Sequence, residues 1–245
     1  MTDELEPDTS AGAPVAVSDD AAEDGFVDKS HRVPDGLKIS YRVYAPTGAP
    51  PAKHAAPVVC LHGLTRNLRD FEDVAPYIAA EGRMVVAASM RGRGRSSWDD
   101  QPERYAPPTY AADVVSLLDA LEIKRAVFVG TSMGGIITMT LAATEPDRVA
   151  AVVLNDIGPA LSPEGIERIR GYVGKVKPTR TWYQAAQAAR RINGPAFPNE
   201  REDAFWEAFA RRTCIETPDG VVPAYDPAIA GPIKAAGGAM PFWPV

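Results

Sequence analysis

The stretch Ala126-Val127-Phe128-Val129-Gly130-Thr131-Ser132-Met133-Gly134-Gly135-Ile136-Ile137 decides how this chain folds. The short apolar run Ala126 to Val129 predicts a strand. The segment Ile136 to Ala143, apolar nearly all round, predicts a buried helix. Between them lies the pattern Gly-X-Ser-X-Gly, which is weak by itself and informative only in this strand–turn–helix context. A turn that sharp forces Ser132 into a strained conformation with Oγ exposed above the sheet. Small residues are needed two positions before and two after, because neighbouring backbone passes closely. The start of the helix also offers backbone N–H groups to an anion.

Outward from this turn, the chain alternates strand and helix patterns. Leu37, Ile39, Tyr41 and Val43 alternate with polar residues, the mark of a half-buried strand. Val58 to Leu61, Met84 to Ala88, Ala126 to Val129 and Val149 to Leu154 do not alternate, as suits strands of a parallel sheet covered on both faces. Phe71, Val74 and Ile78 share one face of a first helical segment, and Tyr110, Val114, Leu117, Leu118 and Leu121 one face of a second. The fold expected is α/β, a mostly parallel sheet with helices on both faces. After Pro159 the alternation stops. Ile166 to Val173, Trp182 to Ile192 and Ala204 to Arg212 predict a helical cap rather than more sheet. Three regions follow: an acidic leader (1–25) expected to be disordered, a core (26–158), and a cap with an incomplete return to the core (159–245).

Composition narrows the function. The 245 residues carry a formal net charge of −6, but eight acids and no Lys or Arg fall in residues 1–25. The body is therefore near neutral. No lysine-rich stripe appears, which disfavours nucleic acid as a partner. No run of 18 apolar residues predicts a membrane span, and the acidic N-terminus lacks the apolar core of a secretory signal. Two cysteines, Cys60 and Cys214, make no disulfide framework, and three histidines make no histidine-rich metal site. The expectation is a cytoplasmic protein acting on a small molecule without a cofactor.

His62-Gly63 sits at the carboxyl end of the run Val58 to Leu61, on the same sheet edge as Ser132. Gly63 lets the N–H of Leu64 turn inward. With the N–H of Met133 it makes a two-donor oxyanion hole, the largest electrostatic contribution in acyl transfer. At this point the chain resembles the α/β-hydrolase superfamily, in its cap-bearing branch of esterases, enol-lactone hydrolases, carbon–carbon bond hydrolases and cofactor-free haloperoxidases. Leu61-His62-Gly63 resembles its oxyanion segment and Gly130 to Gly135 its nucleophile elbow. Arg91-Gly92-Arg93-Gly94-Arg95-Ser96 resembles the loop after its fourth strand, and Asn155-Asp156-Ile157-Gly158-Pro159 the end of its sixth. The resemblance implies a serine hydrolase of small esters, lactones or activated ketones, with Ser132 as nucleophile.

Two departures stand out. Ser89 occupies a position where the family often has Asp. More important, the family's triad runs Ser, acid, His along the chain, whereas His31, His54 and His62 all precede Ser132. The chain thus reads either as a C-terminally truncated hydrolase with its last strands missing, and so inactive or impaired as written, or as a non-catalytic binding protein of the same fold. Truncation is favoured, because it would leave Val149 to Leu154 as an exposed apolar edge open to oligomerisation. His62 is either a base or, in the simpler reading, a structural histidine bonded to backbone. Asp156 is either the triad acid, as in some members of the superfamily, or a turn residue. Arg91, Arg93 and Arg95 read as a solvated loop rather than an anion site. Trp182, Tyr183, Phe205 and Trp206 either line the pocket or pack within the cap, and Arg190, Arg191, Arg211 and Arg212 lie on polar helix faces.

Overall fold

A computed structural model of the chain describes residues 25–47, 56–158, 160, 162–175 and 177–235. The leader up to Asp24, His54 and the last ten residues lie outside the described residues, and with them the expectations of disorder and of an incomplete return to the core. Six strands form one sheet: β1 (Phe26–Arg32), β2 (Lys38–Tyr44), β3 (Val58–Leu61), β4 (Val85–Ala88), β5 (Ala126–Thr131) and β6 (Val149–Asn155), in the order β1-β2-β4-β3-β5-β6. β1 and β2 run antiparallel to their neighbours, and β4, β3, β5 and β6 are mutually parallel. The parallel strands all end on one edge, so His62, Ser132 and Asp156 emerge there together.

The unbroken apolar runs of β3 and β4 follow from burial on both faces. Val59, Leu61, Val86 and Ala88 point into one cluster with Tyr110, Val114, Leu117 and Leu118 of α2 (Pro107–Ala120) and Ile137 and Leu141 of α3 (Met133–Thr144). Val58, Cys60, Val85 and Ala87 point to the other, against Leu68, Phe71 and the helix α1 (Ala75–Ala80). Alternate residues of one strand thus feed two cores, as strand geometry requires.

Some sequence expectations are corrected. The first helix is shorter than its apolar spacing implied. A 3₁₀ turn at Leu68–Phe71 precedes it, so Ala75 and Ala79 face the core while Val74 is turned out to solvent. The polar side of β2 is buried too: Arg42 donates from Nε and Nη2 to Asp28 (2.6 and 2.9 Å) and from Nη1 to Glu72 (2.9 Å). β1 escaped sequence reading because Phe26-Val27-Asp28-Lys29-Ser30-His31-Arg32 has no apolar alternation; its pairing with β2 rests on backbone bonds and these ion pairs.

Beyond β6 come α4 (Pro163–Tyr172), α5 (Trp182–Asn193) and α6 (Asp203–Thr213), close to the segments expected. The cap is not all helical. An antiparallel hairpin, β7 (Cys214–Thr217) and β8 (Gly220–Pro223), turns at Pro218-Asp219, before α7 (Ala230–Ala235). That Pro-Asp-Gly signal between short β-prone runs was readable. Phe197, Phe205, Trp206 and Phe209 pack edge-on or tilted against one another at 5.1–6.2 Å between centroids. The layer is moored to the sheet's loops. Asn67 donates to the Arg212 carbonyl (2.8 Å), Arg69 to that of Arg211 (2.6 Å), and the Gly94 N–H to that of Ala224 (2.8 Å). Among the described residues no helix is long and apolar enough to cross a membrane.

Among the described residues β6 has the composition of an interior strand and the position of an edge strand. Val152, Val153 and Leu154 are 44%, 51% and 37% exposed. An apolar edge with free N–H and C=O groups templates pairing with another chain. The 245-residue chain is expected to elute above its monomer mass, in a concentration-dependent way, in size-exclusion chromatography with light scattering. Val153→Lys should return it toward monomer; a monodisperse wild-type monomer would count against the edge as a contact.

Candidate active site

The turn between β5 and α3 takes the form that its sequence demanded. Ser132 has φ +50° and ψ −113°, one of three non-glycine residues with positive φ among those described. Such a conformation persists only where the surroundings impose it. Here the Ser132 N–H donates to the Asn155 carbonyl of β6 (2.9 Å), and α3 approaches both strands. A Cβ on Gly130 would lie 2.5 Å from the Gly134 carbonyl oxygen, and one on Gly134 would overlap the Leu61 carbonyl of β3. Only glycine lets the helix start this close. Ser132 is half-buried, and its hydroxyl makes no hydrogen bond among the described residues.

The loop after β3 lies beside it. A Cβ built on Gly63 would be 3.8 Å from Ser132 Cβ, which places that loop against the turn carrying Ser132. Among the described residues neither the Leu64 nor the Met133 N–H has an acceptor; Met133 is the first residue of α3, where the helix leaves its N–H groups free. Ser132, Gly63, Leu64 and Met133 are therefore brought together, with two open donors close to one hydroxyl.

His62 is fully buried and committed to backbone. Its Nδ1 donates to the Gly63 carbonyl (2.7 Å), and Nε2 accepts the Met90 N–H (3.0 Å). An Nε2 that accepts an N–H carries no proton, so the ring is the neutral Nδ1–H tautomer. Burial pushes its pKa from 6.5 down to about 3, against the Gly63 bond, with the Arg93 and Arg66 charges adding to the drop. Neither nitrogen is free to take a proton from Ser132. The base alternative for His62 has no geometry to support it, and the structural alternative fits. His31 lies on β1, bonded to Ser116 Oγ (2.8 Å). Asp156, at φ +54°, is an exposed turn residue with no hydrogen bond or ion pair among the described residues.

The arginine loop is the clearest correction. Arg91 and Arg93 are 1% and 0% exposed, and only Arg95 faces solvent. Arg91 survives burial because carboxylates surround it: Nη1 donates to Asp99 (2.6 Å), Nε and Nη2 to Asp113 (2.8 and 2.5 Å), and Asp35 pairs at 2.9 Å. Those acids lie 8–56 positions away in sequence, beyond any local pattern. Arg93 donates to the Leu64 carbonyl (2.9 Å), the Arg91 carbonyl (2.8 Å), the Tyr110 hydroxyl (2.7 Å) and Met133 Sδ (3.4 Å). Ser89 accepts the Leu68 N–H (3.1 Å), holding the loop after β3.

A small cavity of about 60 Å³ opens between the loop after β3 and the cap. Thr65, Arg66, Lys177 and Phe209 line it, with Ala185, Ala188 and Ala189 of α5. Trp182, Tyr183, Phe205 and Trp206 do not. Trp206 and Phe205 belong to the cap's own core, Tyr183 faces solvent, and Arg211 stacks on the Trp182 ring (4.5 Å). Of the remaining cap arginines, Arg190 pairs with Asp203 (3.1 Å) and Arg212 with Asp73 (2.6 Å).

Two measurements check this geometry. Gly134→Ala should lower stability by about 2–3 kcal/mol in urea unfolding, since the added carbon meets backbone that cannot yield. For His62 the native state favours the neutral ring, so the unfolded chain binds the proton as pH falls. Stability should decline from about pH 6.5 downward toward pH 3, with an added slope approaching about 1.4 kcal/mol per pH unit. In His62→Gln that slope should vanish, so the gap between the two proteins should narrow on acidification.

The profile of the alpha/beta hydrolase fold matches residues 56–211. Over 117 residues the chain is 44% identical to a 3-hydroxybutyrate-oligomer hydrolase of Cupriavidus necator, covering 48% of this chain and 40% of the relative. Epoxide hydrolase B of Mycobacterium tuberculosis is 34% identical over 152 residues, 58% of this chain and 43% of the relative. The chain thus spans less than half the length of these curated relatives. A crystal structure of an alpha/beta hydrolase from Novosphingobium aromaticivorans superposes with a TM-score of 0.79 at 42% identity, covering 89% of this chain and 74% of that one. With the strand order, the strained serine turn and these matches in agreement, the chain belongs to the alpha/beta hydrolase fold family.

Proposed function

We propose that this chain carries the nucleophile and oxyanion hole of a cofactor-independent, cytoplasmic serine hydrolase acting on small esters, lactones or activated ketones. The observation that carries the reading is the strained Ser132 at φ +50°, its hydroxyl unbonded, beside two N–H groups without acceptors. Strain of this kind is held where function uses it. Ser132 Oγ bonds to the substrate carbonyl carbon as its hydroxyl proton passes to solvent water, and the carbonyl π pair moves onto oxygen. The Leu64 and Met133 N–H groups hold that oxyanion until the pair returns and the leaving group departs, protonated from water; a second water then adds to the acyl carbon, releasing the acid and restoring the Ser132 hydroxyl. Two free thiols, Cys60 and Cys214, agree with a reducing compartment.

The general base is the part this chain does not supply, since no histidine follows Ser132 and both His62 nitrogens are occupied. A serine hydroxyl without a base is a poor nucleophile. Turnover of a p-nitrophenyl ester by this chain should therefore be slow, yet dependent on Ser132. That same lack of a base favours the second reading, a binding protein that keeps the pocket without the chemistry. A fluorophosphonate probe separates them. Slow labelling that disappears in Ser132→Ala supports the hydrolase; no labelling at Ser132 under long exposure supports the binding protein. Asp156→Ala should leave labelling unchanged, because the Asp156 carboxylate orients no imidazole among the described residues.

A further inference from the structure

Arg93 is a fully buried cation that no carboxylate of the described residues neutralises. Its neighbour Arg91 takes Asp35, Asp99 and Asp113, whereas Arg93 spends its donors on uncharged groups. The faces of Tyr110 and Tyr105 lie 5.0 and 5.6 Å from its guanidinium carbon. Burying an unpaired charge is costly, and arginine cannot shed its proton to escape. A charge kept under those terms calls for a use.

Its contacts indicate one. Nε grips the Leu64 carbonyl (2.9 Å) and Nη2 reaches Met133 Sδ (3.4 Å). These are the two residues whose N–H groups stand open beside Ser132, and they come from different elements, the loop after β3 and the first turn of α3. One rigid planar fork thus spans both sides of the hole, while Nη1 anchors it to the Arg91 carbonyl and the Tyr110 hydroxyl. We propose that Arg93 is the positioning residue of the oxyanion hole, fixing the Leu64 and Met133 amides relative to each other, and that its unneutralised charge supplies a positive potential favouring the oxyanion. The inference rests on the hydrolase reading of Ser132 for its electrostatic half only. The lowered pKa of His62, to which the Arg93 charge contributes, agrees with such a potential.

The test compares the full chain with Arg93→Met and Arg93→Lys. Amide hydrogen exchange by mass spectrometry reads positioning without any chemistry. In Arg93→Met the peptides holding Leu64 and Met133, read at their hydrogen-bonded amides Arg66, Gly135 and Ile136, should exchange at least about 10-fold faster, with β3 and β5 unchanged and Arg93→Lys intermediate. Unchanged protection at both peptides overturns the positioning claim. Butylboronic acid reads the potential. Ser132 Oγ donates a lone pair to boron, its proton passes to water, and boron becomes a tetrahedral anion visible by boron NMR. Arg93→Met should weaken that Ser132-dependent adduct by about 10- to 100-fold, and Arg93→Lys, which keeps the charge, should recover part of the loss. Equal boronate affinity in a folded Arg93→Met with a lowered melting temperature would make Arg93 a fastener only and overturn the electrostatic claim. A wild-type chain giving no Ser132-dependent tetrahedral boron overturns the hydrolase reading together with that electrostatic half, while hydrogen exchange still judges the positioning half.

Discussion

The distance between the start of α3 and the end of β3 governs the candidate site. Gly134 lies so close to the Leu61 carbonyl that any side chain there would collide, and Gly130 passes as closely beneath the helix. That approach bends the chain hard enough to hold Ser132 at positive φ, exposes the first N–H of the helix, and sets Gly63 beside the serine. A helix start one side chain further away would relax the turn and lose all three. Stability and the candidate chemistry here depend on one packing distance, which glycine alone permits.

A second organisation surrounds the first. The loop after β4 sends two arginines inward, and they are satisfied by opposite means. Arg91 is matched by three carboxylates from separate parts of the chain, the well-paired form of a buried ion. Arg93 is matched by carbonyls, a phenol, a thioether and ring faces, which solvate the charge without cancelling it. His62 stands between the two loops as a neutral bracket, joining Gly63 to Met90 through its ring. The Ser132 turn and the loop after β3 are thus framed by polar groups that sequence spacing does not relate.

How much of this was legible follows from the range of the interactions. The parallel strands, α2, α3 and the Ser132 turn were readable, because apolar runs and glycine spacing are local consequences of burial and close approach. The placing of Leu64 and Met133 just past the ends of β3 and β5 was legible from the strand runs. The arginine loop was misread as solvated, since a run of arginines and glycines is polar by composition and its acids, Asp35, Asp99 and Asp113, arrive by folding. Val74 was misplaced because a 3₁₀ turn shifts the helical phase that periodicity assumes constant. β1 gave no alternation to read. The commitment of both His62 nitrogens to backbone could be seen only in three dimensions.

The helices α4 to α6 and the turn that carries Ser132 share no hydrogen bond among the described residues; the cap's bonds reach instead to the loops after β3 and β4. Residues lining the cavity, such as Ala185, Ala188 and Phe209, can therefore be exchanged without a strain cost at the elbow. The lining of the cavity and the geometry of the turn can change independently of one another, because no shared bond among the described residues carries a change in one to the other.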